Sequence, residues 1–150
     1  MTDAQWRVLL DTNIWISAFI NPTGPPARVL NLFLDGRYQP VASLSLLNEI
    51  TDVLSRRRVR RAIRASDERI ETWLSRLQSD ALFVNPEGIL CLCRDPEDDV
   101  ILETAILARA HYVVSRDDDI KRDLDLIAHL HEHNIEVVTV AQFLRVLGED

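Results

Sequence analysis

Short apolar runs alternate along the chain with longer segments whose apolar residues recur every three to four positions. The short runs predict strands, and they are RVLL from Arg7 to Leu10, YQPVAS, LFV, HYVVS and IEVVT. The longer segments predict helices, and they are IWISAFI, Pro26–Leu34, a segment capped by Ser43 or Ser45, Asp67–Asp80, a segment that starts at Asp95-Pro96 and one capped by Thr139 with Gln142. Strands that alternate with helices predict an α/β fold with a central, mostly parallel β-sheet flanked by helices.

The length of 150 residues fits a single domain, residues 1–150, whose core we expect from about residue 7 to residue 143. Cys91 and Cys93 are separated by one residue, too close for an ordinary disulfide bond, which indicates free thiols in a reducing compartment. No segment approaches the roughly 20 apolar residues of a membrane span. We therefore expect a cytoplasmic protein that makes no use of a membrane.

The charge is distributed unevenly along the chain. With 24 acidic and 17 basic residues the net charge is -7, which argues against nonspecific coating of nucleic acid. Basic residues are nevertheless concentrated in SRRRVRRAIR, from Arg56 to Arg64. Such a run is either a solvated helix face or a surface that follows a phosphate backbone, and both interpretations stay open. For the second, the candidate RNA contacts are Arg57, Arg58 and Arg61.

Two acids lie just past predicted strands. Asp11 follows RVLL, and Asp117 follows HYVVS. The carboxyl ends of parallel strands meet at one edge of a sheet, and the ligand crevice of such a fold lies outside that edge. We therefore expect these two carboxylates to converge.

Helical phase turns two further acids toward the interior. At about 100° per residue, Glu49 borders the apolar stripe of its helix instead of pointing to solvent, and Asp98 shares a face with Ile101 and Leu102. Asp99 is turned about 100° away from Asp98, toward solvent. Four carboxylates brought together repel one another unless cations neutralise them, and hard divalent ions such as Mg²⁺ or Mn²⁺ take oxygen ligands of this kind.

Four acidic segments, taken together, resemble those of a known family. They are LLDTNIWISAF, LLNEITDVL, RDPEDDVILETAI and YVVSRDDDI. In order and spacing they resemble the motifs of the PIN domain, a metal-dependent ribonuclease fold common in the toxins of bacterial toxin–antitoxin pairs. The resemblance runs from about Arg7 to Phe143, and the GPPARVL segment together with RDPEDD is similar to VapC-like toxin components of this family.

Carried over position by position, the resemblance implies a metal site built from four acids, Asp11, Glu49, Asp98 and Asp117. Asp119 is a further candidate ligand, because three acids follow one another at 117–119. The resemblance also implies that Asn13 and Ser115 are polar supports near these carboxylates. Ser115 stands where the family often has Thr, and this difference keeps the hydroxyl group.

The resemblance implies a Mg²⁺- or Mn²⁺-dependent endoribonuclease that hydrolyses single-stranded RNA and leaves a 5′-phosphate. The acids would act as ligands, and no side chain would act as the nucleophile. Proteins of this kind commonly form homodimers and are often inhibited by a cognate antitoxin protein. We therefore expect a homodimer and an antitoxin partner.

Other functions remain open from the sequence. A PIN-like module could bind RNA or a protein without cutting. A phosphatase of the haloacid-dehalogenase type would need a second Asp two residues after the first, where this chain has Asn13. A phospho-receiver domain would need a lysine near its last strands, and the single lysine, Lys121, lies in the charged stretch after the acids at 117–119.

Overall fold

The structure is a computed structural model that describes residues 5–149 and, of Asp117, the backbone alone. The strands are β1 (Arg7–Leu10), β2 (Gln39–Ala42), β3 (Leu82–Phe83), β4 (Tyr112–Val114) and β5 (Glu136–Val138). The helices of the described residues are α1 (Thr12–Ile20), α2 (Pro25–Leu34), α3 (Leu44–Ser55), α4 (Arg57–Ala62), α5 (Asp67–Asp80), α6 (Pro96–Leu107), α7 (Asp117–Arg122), α8 (Leu124–Glu132) and α9 (Val140–Val146).

The five strands form one parallel sheet in the order β3-β2-β1-β4-β5. This architecture confirms the predicted α/β fold with a central parallel sheet. From β1 the chain winds outward through β2 and β3, and it then returns to the other side of β1 to form β4. The winding direction therefore reverses between β1 and β4, and in open α/β sheets the crevice at the carboxyl ends of two such strands is where ligands bind.

The strand β1 is buried on both of its faces. Val8 and Leu10 belong to one apolar cluster, and Leu9, which points the other way, belongs to a second cluster. The first cluster contains buried residues of α1, α2, α5 and α9, whereas the second contains those of α6 and α8. Helices thus cover both faces of the sheet, as parallel sheets require, and the candidate site lies at its edge.

Local sequence signals set several helix starts. Ser43 caps α3 by accepting the backbone N–H of Leu46 at 3.1 Å, and Asp95 caps α6 with Pro96 as the first helical residue. Thr139 and Gln142 form the predicted capping box of α9. The sequence pattern predicts no helix at α7 or α8, whereas α4 lies in the arginine run, for which a helix face was one of the two interpretations. In the described part of the chain, no helix is long and apolar enough to cross a membrane.

A segment without regular structure, residues 84–95, connects β3 to α6 and is called the crossover loop below. Two carboxylates of α6 hold its backbone. Glu103 accepts N–H groups from Gly88 at 3.1 Å and Ile89 at 3.0 Å, and Asp99 accepts the N–H of Cys93 at 2.7 Å. The path of this loop is therefore set by side chains of the helix that follows it.

Candidate active site

Asp11 lies at the centre of the candidate site because it follows β1, the central strand. Its backbone N–H donates to the carbonyl oxygen of Val114 at the end of β4, at 3.0 Å, which places it at the reversal between the two strands. Asp11 is the N-cap residue of α1, but its side chain makes no capping hydrogen bond. The carboxylate instead lines two adjacent pockets, and it is available to other groups.

The electrostatic surroundings of Asp11 are negative. Burial, followed by the charges of Asp119, Glu49 and Asp123, raises its pKa from 3.8 to about 6, although the backbone N–H of Thr12 acts in the opposite direction. A carboxyl group so placed gains from any cation that approaches it. The structure thus brings Asp11 close enough to the other three acids for their charges to interact.

Asp119 is buried, with 5% of its surface exposed, and it holds the most hydrogen bonds of these acids. Its Oδ2 accepts from Nδ2 of Asn13 at 2.9 Å and from Nε of Arg116 at 3.3 Å, and its Oδ1 accepts from Arg122 at 2.6 Å. Although burial acts to raise its pKa, the bonds from Asn13, Arg116 and Arg122 lower it. Asn13 therefore supports a carboxylate of the site, and that carboxylate is Asp119.

Asp98 lies on the buried side of α6, with 7% of its surface exposed, in agreement with the helix phase derived from the sequence. Burial, followed by the charges of Asp123, Asp95 and Asp125, raises its pKa from 3.8 to about 7. Its carboxyl group also forms a hydrogen bond with that of Asp123. The site therefore contains two adjacent acids whose pKa values are both raised.

Asp123 is a site residue that the sequence analysis missed. It lies between α7 and α8, and it lines a pocket with Asp11, Ser115 and Asp119. Burial raises its pKa, and the hydrogen bond with Asp98 partly offsets this. A signal was present, because Asp123 follows Asp119 by four residues and so lies on the same side of a helical turn. The apolar pattern, however, predicts no helix at these positions.

Two orientations expected from the sequence need correction. Glu49 is exposed, not turned away from solvent, although it lines a pocket together with Asp11 and its charge acts on that residue. Asp99 does not point freely to solvent, because the backbone of the crossover loop donates to its carboxylate. Ideal helix phase ignores a loop that covers one side of a helix, as the crossover loop covers Asp99. It also does not show how little of a helix is buried, and in α3 the buried residue is Ile50, next to the exposed Glu49.

The remaining candidates are placed as follows. Ser115 is buried behind Asp11 and Asp119, and its backbone N–H donates to the carbonyl oxygen of Val138 at 3.0 Å. The backbone of Asp117 begins α7, but its side chain lies outside the described part of the structure. The arginine segment forms α4, whose Arg57, Arg58 and Arg61 are exposed. Among the described residues, none of these three arginines forms an ion pair.

The donor set fits a hard divalent cation, because it consists of carboxylate oxygens that repel one another. The raised pKa values of Asp11 and Asp98 express this repulsion together with burial. Among the side chains that the structure describes, no three His, Cys, Asp or Glu converge on one point as a complete metal cluster. That search does not include the side chain of Asp117. The structure therefore shows a concentration of suitable oxygen donors and not a finished coordination shell.

Comparisons with known proteins agree with this geometry. The family model described as PIN domain matches residues 7–119. The uncharacterized protein MJ1680 of Methanocaldococcus jannaschii is 28% identical over 145 residues, which cover 96% of this chain and 93% of that protein. A solved chain of VapBC2 from Rickettsia felis, bound to a DNA fragment from their promoter, matches with a TM-score of 0.51 at 18% identity. This match covers 89% of this chain and 98% of that chain, and at such low identity it speaks for the fold alone.

Proposed function

Because this chain belongs to the PIN domain family, we propose that it is a metal-dependent endoribonuclease that hydrolyses single-stranded RNA. The family match confirms the resemblance drawn from the four acidic segments. The observation that carries the proposal is the group of acids at the reversal between β1 and β4, where Asp11 and Asp98 have raised pKa values. Perturbed acids in a crevice are typical of catalytic sites.

The residues proposed to hold the metal are those that the family resemblance implies, Asp11, Glu49, Asp98 and Asp117, with Asp119 as a further candidate. When bound, Mg²⁺ or Mn²⁺ would supply activation of water and neutralisation of charge on the phosphate. Asn13 orients the Asp119 carboxylate through its amide, and Ser115 fills the space behind it. Asp123, whose pKa is raised by burial, adds a further carboxylate beside Asp98.

The biological setting proposed here is that of a toxin in a toxin–antitoxin pair, acting in the cytoplasm. This proposal is supported by the family and by the fold likeness to a chain of a VapBC2 complex. We propose a cognate antitoxin protein and a second copy of the chain as partners. Copurification with the product of a neighbouring gene, together with light scattering of the isolated chain, tests both.

The decisive experiment incubates the purified protein with a pool of single-stranded RNA in the presence of Mg²⁺, Mn²⁺ or EDTA. We expect cleavage with either metal, none with EDTA, and product ends that carry a 5′-phosphate. The matched control is Asp11→Asn, which removes one charge from the site and leaves its shape. RNA binding without cleavage under any of the metal conditions would favour the alternative, a PIN-like module that does not cut.

Metal binding can be tested separately from cleavage. Millimolar Mn²⁺ should raise the Tm, because a ligand that binds the native state alone stabilises it, by about 2.7 kcal/mol at a hundred times its Kd. Asp11→Asn should abolish most of this increase, whereas Glu71→Gln on the exposed side of α5 should preserve it. A wild-type Tm indifferent to Mn²⁺ would contradict the metal site.

The arginines of α4 are proposed to follow the RNA backbone. Each phosphate contact to a single strand contributes roughly 0.7 to the slope of log affinity against log salt. Replacing Arg57, Arg58 and Arg61 by Gln should therefore weaken binding to all sequences and flatten that slope. Arg145→Gln on α9 is the control. An unchanged affinity and slope would leave α4 as a solvated helix.

A further inference from the structure

A pocket of about 230 Å³ opens beside Asp11, between α3 and α6, and apart from Asp11 and Glu49 its lining residues have no part in the proposed mechanism. Its walls are apolar and include Leu46, Val100 and Ile101, which are half-buried. Its rim carries carboxylates, since Glu49 and Glu97 line it and are exposed. At roughly 30 Å³ per water molecule, the volume equals seven to eight waters, which is room for one flat ring system.

The pocket also contains a buried hydroxyl group that has no partner. Thr12 lines it with 3% of its surface exposed, and its Oγ1 makes no hydrogen bond with any described residue. The other buried hydroxyls of the pocket are occupied, because Ser43 accepts the N–H of Leu46 and Thr104 donates to the carbonyl oxygen of Val100. Because the Oγ1 atom of Thr12 is fully covered, it adds no polar contact to the pocket, and the polar groups that a ligand can reach are the carboxylates at the rim.

The chemistry of the lining selects the occupant. Away from the proposed metal, a phosphate group would meet the charge of Glu97, which would repel it. A purely apolar side chain would not use the carboxylates at the rim. A flat, neutral ring that carries N–H donors satisfies both features, since its faces contact the aliphatic walls and its donors meet carboxylate oxygens.

We propose that this pocket binds one unpaired nucleobase of the RNA substrate, with a preference for bases that have an exocyclic amino group. The proposal rests on the proposed function, and it adds a substrate subsite to it. Asp11 belongs both to the pocket and to the acid group, so the base bound here belongs to a nucleotide next to the bond that is cut. Adenine, cytosine and guanine carry the amino group, and uracil does not.

The first test uses free nucleosides, which have no phosphate and require neither metal nor catalysis. Adenosine, cytidine and uridine are titrated into the protein, and the methyl resonances of Leu46, Val100 and Ile101 are followed by NMR. We expect saturable shifts with adenosine and cytidine and at least threefold weaker binding of uridine. Shifts that are absent for all three nucleosides, or equal for uridine and cytidine, would overturn the proposal.

Filling the pocket supplies the matched variants. Val100→Trp should remove the nucleoside response, whereas Leu107→Trp, at a half-exposed position of α6 outside the pocket, should preserve it. Should Val100→Trp fail to fold, Ser45→Trp at the exposed rim blocks the same space. A full nucleoside response in a folded, pocket-filled variant would overturn the assignment.

The second test distinguishes failure of the subsite from failure of the proposed function. In an RNA that the protein cleaves at one place, an abasic ribose is put on each side of that place in turn. We expect one of the two to reduce cleavage at least tenfold in the wild type and not in Val100→Trp. Cleavage indifferent to both replacements would overturn the subsite and leave the nuclease in place.

Two further outcomes are informative in the same way. Nucleoside binding in a protein that cuts no RNA would support the pocket and refute the nuclease. If an amphipathic peptide shifts the methyl resonances and the nucleosides do not, the proposal is overturned. The pocket would then be assigned to a protein partner.

Discussion

Asp98 and Asp99 are neighbours on α6, yet the two regions they face shift the pKa of a carboxyl group in opposite directions. Asp98 faces the candidate site, where burial and other carboxylates raise its pKa to about 7. Asp99 faces the crossover loop, where the N–H groups of Cys93 and Leu92 lower its pKa. Glu103, also on the loop side, has a lowered pKa because three loop N–H groups outweigh its burial.

The two regions differ in the groups that surround each carboxylate, and not in the number of acidic residues. The loop side supplies backbone donors, which stabilise the charged form and use the carboxylates as structural anchors. The site supplies mainly other carboxylates, apart from the bonds that Asn13, Arg116 and Arg122 make to Asp119. An acid without donors needs a cation, so the site side of α6 is the functional side.

The largest difference between the two sides is expected when Asp98 and Asp99 are neutralised separately. Asp98→Asn should reduce metal-dependent RNA cleavage about a hundredfold, equivalent to about 2.7 kcal/mol in the barrier, whereas Asp99→Asn should retain most of it. Cleavage rates of both variants at saturating Mn²⁺ measure this. An inactive Asp99→Asn beside a fully active Asp98→Asn would show that the site uses the other side of the helix.

The free energy of unfolding should depend strongly on the loop side of α6, where carboxylates hold the crossover loop. Glu103→Gln should lower the free energy of unfolding by about 1–3 kcal/mol, because the new amide group opposes a loop N–H that now donates to a carboxylate. Denaturant unfolding measures this against Glu71→Gln, which changes an exposed side chain of α5. A Glu103→Gln variant as stable as that control would mean that the carboxylate does not anchor the crossover loop.

Stability without metal should also depend on pH in a way that separates the two regions. Asp11 and Asp98 have a pKa of about 6 and about 7 in the native state, against an ordinary value of 3.8. The native state therefore binds more protons than the unfolded chain between pH 4 and 7, and its free energy of unfolding falls as pH rises through that window. We expect a loss on the order of 2 kcal/mol per group.

The loop carboxylates act in the opposite sense and at lower pH. Their pKa is lowered, so the stability they contribute is lost as pH falls below about 4. His111, whose pKa burial and Arg7 lower, adds stability as pH rises and opposes the site acids. The wild type and Asp98→Asn both contain His111, so its contribution cancels when the two are compared. The free energy of unfolding should fall less between pH 4 and 7 in the variant than in the wild type. Parallel curves would contradict the raised pKa of Asp98.

The smallest effect is expected for the loop itself. Asp99→Asn keeps one acceptor oxygen but loses the charge, so its two hydrogen bonds from Leu92 and Cys93 should weaken by about 1 kcal/mol in total. Amide hydrogen exchange of these two residues should speed up, while that of β1 should not change. Unchanged exchange at both loop amides would show that neighbouring groups hold the loop without Asp99.

Much of the fold follows from local patterns. The five strands, the N-caps Ser43 and Asp95 and the capping box of Thr139 could be predicted because each depends on residues a few positions apart. The inward direction of Asp98 also follows from helix phase alone. By contrast, α7 is short and highly charged, and the position of α8 depends on packing against β5 and α6.

The sequence by itself determined which acids are present, which strands they follow and, through the four ordered segments, the family. Tertiary structure decided what each acid contacts. It joined Asp98 to Asp123, bound Asn13 to Asp119, left Glu49 exposed and turned Asp99 to the crossover loop. The physical reason is that a pKa or a ligand role depends on groups that are distant along the chain, and only the completed fold brings them together.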